Sequence, residues 1–97
     1  MFAVATLALA LAQAHLAVPT TNPFTVRGSG FRAGERVALV VRAHNRLAKT
    51  VTAGSRGRFR ARMPRVRLGT CGAFIVRASG SMGGRAVLRV MPECPQP

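Results

Sequence analysis

Residues 57–67, GRFRARMPRVR, carry Arg58, Arg60, Arg62, Arg65 and Arg67. A guanidinium offers a planar fork of N–H donors that fits phosphate or carboxylate in a bidentate way, so the chemistry open to this stretch is recognition of anions. Other chemistry lacks its parts. The only acids, Glu35 and Glu93, lie far apart in the chain and make a poor catalytic carboxylate pair. His44 with Cys71 would form a Cys-His dyad, but the thiol has a better use in a disulfide with Cys94. His44 and two paired cysteines cannot supply the three or four ligands of a metal centre, and calcium needs carboxylates the chain lacks. Gly28-Ser29-Gly30 is not followed by the Gly-Lys-Ser/Thr of a phosphate loop, and GSMGG at 80–84 reads as a hairpin tip. The expectation is therefore a protein that is not an enzyme and has no catalytic, metal or cofactor site.

The charge is extreme. Fifteen Lys and Arg, all but Lys49 being Arg, face two acids for a net charge of +13, and every one of these charges follows residue 26. Such a field draws polyanions in a salt-dependent, sequence-blind manner. Compositional bias is the plain alternative, since Ala, Arg, Gly and Val are all abundant. Five Phe with neither Tyr nor Trp leave little for stacking bases, so nucleic acid is expected to bind only non-specifically. Hydrophobic residues at 48% argue for a folded chain.

Elements must place these side chains. The opening MFAVATLALALAQA holds an apolar run from Phe2 to Ala12 followed by the small-residue pattern Ala12-Gln13-Ala14. The run is too short for a membrane span, which takes roughly 20 residues. It reads as a signal peptide within residues 1–17, cut after Ala14 or Ala17, ahead of a domain at 18–97, and it predicts a secreted or cell-surface location where a Cys71–Cys94 disulfide is the default.

From Asn22 onward short alternating runs are divided by glycine-rich breaks, the pattern of antiparallel strands. Phe24 and Val26 share one face; Val37, Leu39 and Val41 share another; residues 47–53 form a more polar strand. Phe59, Ala61 and Met63 alternate with Arg58, Arg60 and Arg62, which puts three arginines on the solvent side. Pro64 ends that strand, so Arg65 and Arg67 fall in the connection beyond it. AFIVRAS and RAVLRVM form a last hairpin, with Phe74 opposite Val90, Val76 opposite Leu88 and Ala78 opposite Ala86. Continued to the open end, that register sets Cys71 opposite Glu93, beside Cys94 and within disulfide reach.

These residues resemble the immunoglobulin-like repeats of secreted bacterial proteins of the IPT/TIG type over roughly residues 18–91. The matching stretches are GSGF at 28–31, AGE at 33–35, GRF at 57–59 and GAFIVRA at 72–78; the Cys pair and Gly54 depart from the family pattern. The resemblance implies an all-β fold, a small antiparallel immunoglobulin-like β-sandwich, serving as a noncatalytic surface module. Its partner would be a cell-wall polymer, an acidic glycan or a surface protein. A basic domain gripping polyanions through the arginine row is the alternative. A fainter similarity to the apoproteins of secreted chromoproteins implies a small-ligand carrier.

Overall fold

The computed structural model describes residues 13–92. Residues 1–12 of the signal segment expected at 1–17, together with Glu93 and Cys94, lie outside the described residues. Among the described residues seven antiparallel strands follow one another: β1 (His15–Thr21), β2 (Phe24–Ser29), β3 (Arg36–Arg42), β4 (Arg46–Thr52), β5 (Phe59–Arg62), β6 (Phe74–Gly80) and β7 (Arg85–Val90), with a 3-10 turn at Thr70–Gly72 before β6. They form two sheets in the orders β1-β2-β5 and β4-β3-β6-β7.

The strands arise where alternation gives one face to the core. β3 alternates exposed Arg36, Ala38 and Arg42 with buried Val37, Leu39 and Val41. In β5 and the residue after it, Phe59, Ala61 and Met63 are buried while the intervening arginines are exposed. The β6–β7 hairpin has the register expected from sequence, pairing Phe74 with Val90, Val76 with Leu88 and Ala78 with Ala86. Both inner faces meet in one apolar core, where Phe24 of the small sheet packs edge-to-face on Phe74 of the large one at 5.0 Å between ring centroids. Burying a Val or Leu of this kind contributes about 1.5–3 kcal/mol, which is why the parity of β3 is a strong determinant of register.

β1 is the strand that periodicity from Asn22 onward leaves unread. Half-buried Leu16 and Val18 turn toward the core while His15 and Ala17 face out. Its pairing with β2 slips between Ala17 and Thr20, where Pro19 stands. A bulge at a proline is the usual way for an edge strand to lose a ladder donor and refuse further partners. The expected boundary at residue 18 would fall inside this strand.

Candidate functional site

The three-stranded sheet turns a basic outer face to solvent. On β5, Arg60 and Arg62 are two residues apart, with Arg58 immediately ahead in line, so the row repeats about every 6.6 Å. Pairing with β2 sets Arg27 directly opposite Arg60, and β1 sets Ala17 on the other side of Arg27. His15, opposite Ser29, completes the face. These residues surround an open depression of about 670 Å³ lined by His15, Arg27, Ser29, Arg58 and Arg60, with Leu16, Ala17, Gly28 and Phe59 beside them. Gly28 keeps this level of the sheet thin: a Cβ there would run into the Phe59 ring, which packs inward against the β2 backbone.

Two like charges directly opposite on neighbouring strands repel one another. Among the described residues nothing anionic relieves the Arg27 and Arg60 pair, because Glu35, the one acid there, is buried elsewhere. The face is thus set to gain when a phosphate or carboxylate enters between the two guanidiniums.

Arg65 and Arg67 do not extend this row. The backbone around them is held at the β3–β4 turn: Asn45 Nδ2 donates to the Arg65 carbonyl at 2.8 Å, the Arg67 N–H donates to Asn45 Oδ1 at 2.8 Å, and the His44 N–H donates to the Arg67 carbonyl at 2.8 Å. The five arginines of 57–67 therefore divide into three on the small sheet and two beside the turn that joins Arg42 and Arg46. Lys49 of β4 closes the side of the sandwich, its ammonium donating to the Arg62 carbonyl at 3.1 Å.

Glu35 proves to be internal. It is 0% exposed, and its carboxylate accepts the Arg32 N–H at 2.8 Å and the Met82 and Gly84 N–H groups at 2.9 Å each. One side chain thereby ties the loop before β3 to the tip of the β6–β7 hairpin. The Arg32 N–H is the main cause holding its pKa below the ordinary carboxylate value; burial pushes the other way, and the N–H groups of Gly84 and Met82 and the Arg32 charge add to the lowering. Gly80 and Gly84 make room for it, since a Cβ on Gly80 would strike the carboxylate and one on Gly84 would meet the Phe31 ring at 2.6 Å. The 80–84 glycines thus serve a turn and a close approach.

Among the described residues no three His, Cys, Asp or Glu side chains gather as metal ligands, and no helix is long and apolar enough to cross a membrane. Cys71 stands in the turn ahead of β6 with a φ of 60°. Sequence reasoning missed Arg27 and His15 as members of the basic face. The signal for Arg27 was its outward parity beside Val26; its neighbour across the sheet is not written locally. Comparison of the chain with protein-family models, with curated proteins and with solved structures finds no match.

Proposed function

We propose that this chain is a noncatalytic immunoglobulin-like module of a secreted or cell-surface protein that holds a phosphodiester polymer of the cell wall, of teichoic type, on the outer face of its small sheet. The observation that carries the reading is the cross-strand Arg27 and Arg60 pair, flanked by Arg58 and His15 around the 670 Å³ depression, with no carboxylate facing it among the described residues. Regularly spaced phosphates suit a strand whose arginines repeat at a fixed step, and bidentate N–H donation suits each phosphate.

The strand order favours the immunoglobulin-like assignment. The orders β1-β2-β5 and β4-β3-β6-β7 differ from the constant-type arrangement of that fold only in β4, which pairs with β3 instead of β5. Against nucleic acid as the cognate ligand stands the burial of Phe24, Phe31, Phe59 and Phe74, which leaves the basic face without a phenyl platform for bases. The export signal at 1–17 and the Cys71–Cys94 disulfide belong to the same proposal. A start at His15 keeps β1 whole, whereas cleavage after Ala17 would remove the residues paired with Ser29, Gly28 and Arg27.

The test is binding of purified poly(glycerol phosphate) across a salt series. Affinity should fall linearly on a log-log plot, and replacing Arg27, Arg58 and Arg60 together by Gln should flatten the slope by about 2–3, close to one unit for each phosphate that is no longer neutralised. An unchanged slope, or an equal change on replacing exposed arginines that lie outside the strands, such as Arg32 and Arg56, would show that the small sheet is not the site.

A further inference from the structure

The larger sheet carries a second cluster of arginines that the proposed site does not use. Across β4-β3-β6-β7 one row reads Arg46, Arg42, Ile75, Arg89, and the next reads Ala48, Val40, Arg77, Val87. Arg77 is consequently the diagonal neighbour of Arg42, of Arg89 and, one row further, of Arg85, positions about 7–8 Å apart on one face of a sheet. Arg42 and Arg46 are themselves opposed Cα partners, the same unrelieved like-charge pair that Arg27 and Arg60 make on the small sheet. All five of these arginines are exposed. Arg65 and Arg67 join them at the edge of this sheet, where their backbone is bonded to His44 and Asn45.

The two basic faces look away from each other across the core. Packed sheets lie about 10 Å apart, and the arginine side chains stand out beyond that on both sides. The Debye length is about 8 Å at physiological ionic strength, so a charge bound on one face barely alters the field at the other. A straight chain lying along one face does not reach the second. A second copy of this protein is a poor occupant for either face, since arginines would meet arginines.

We infer that the outer face of the four-stranded sheet, centred on Arg77 with Arg42, Arg46, Arg85 and Arg89, is a second, independent binding surface for the same phosphodiester polymer, so that one molecule bridges two chains. The inference rests on the polymer reading above and adds valency to it. A protein of this kind tightens an anionic matrix instead of merely coating it. Bridging also follows mass action: it passes through a maximum as protein is added, because excess protein occupies every chain singly.

The experiment uses the full chain with short poly(glycerol phosphate) oligomers labelled with a donor or an acceptor fluorophore. Energy transfer between oligomers reads bridging, and anisotropy of one labelled oligomer reads single binding. The wild type should give a bell-shaped transfer curve. The triple variant Arg42→Gln, Arg77→Gln and Arg89→Gln should still bind one oligomer, with affinity lowered less than tenfold, while transfer drops to background. A control variant losing charge from the loops instead of the faces, Arg32→Gln before β3 with Arg56→Gln before β5, both exposed and outside the strands, should keep most of its transfer. Circular dichroism of each variant confirms folding, and single replacements at Arg42, Arg77 and Arg89 stand in if the triple variant fails to fold. Undiminished transfer in the large-sheet variants, or equal loss in the loop variant, overturns the second surface. Loss of all oligomer binding on replacing only the large-sheet arginines overturns it as a separate site and moves the polymer to that face, whereas undiminished transfer in the small-sheet triple Arg27→Gln, Arg58→Gln and Arg60→Gln refutes the earlier reading alone.

Discussion

Glu35 is the residue on which the geometry of the loops depends. Its carboxylate accepts three backbone N–H groups from two distant segments, and its side chain is wholly inaccessible. Gln in its place offers one carbonyl oxygen and turns an NH₂ toward N–H donors. Glu35→Gln should therefore lower stability by about 2–3 kcal/mol, measured by urea unfolding at neutral pH. The pH dependence follows from the lowered folded-state pKa. A carboxyl that binds its proton more weakly when folded contributes its full stability above the unfolded value of 4.5 and loses it as pH falls through the folded value. The wild type should thus hold a steady contribution from this group above about pH 5 and weaken below it. Glu35→Gln should flatten that acid limb, which is unusually clean to read in a chain with only two acids. The sequence made Glu35 and Glu93 a poor catalytic pair and left the burial of Glu35 hidden, because its donors at 82 and 84 are remote in the chain.

Strands set what each arginine can reach. Period-two alternation was enough to place Phe59, Ala61 and Met63 inside and Arg58, Arg60 and Arg62 outside, and to align the β6–β7 hairpin pair by pair. It did not reveal β1, whose Leu16 and Val18 sit next to an apolar leader-like run and a proline, so the strand's own alternation is diluted. β1 nonetheless supplies His15 and one wall of the depression. On the export proposed above, processing should accordingly leave His15 as the first residue, read by N-terminal sequencing, and a start at Val18 would contradict the role given to β1. The same sample should have a mass lower by two hydrogens than its reduced form if Cys71 and Cys94 are joined, a bond contributing roughly 3 kcal/mol in the chain-entropy model.

A small sandwich with basic faces on both sides stores repulsion that a polyanion releases. Binding to the folded state alone must stabilise it, by about 2.7 kcal/mol when free polymer is at a hundred times its dissociation constant. In a domain of this size the unfolding midpoint should then rise by roughly 10–20 °C at low salt, seen by calorimetry with poly(glycerol phosphate), and the shift should shrink as salt is added. No shift at saturating polymer would mean that the folded faces gain nothing from it. The amino-acid order already dictated an all-β chain, the inward and outward parity of β3, β5, β6 and β7, and a surface rich in arginine, because alternation and turn chemistry act between near neighbours. Which arginines share a face was settled by packing: Arg27 beside Arg60, Arg77 amid Arg42, Arg85 and Arg89, and Arg65 and Arg67 drawn away to the β3–β4 turn. Those neighbours come from strands far apart in the chain, and their meeting depends on which apolar faces close on one another, a long-range outcome that local periodicity does not encode.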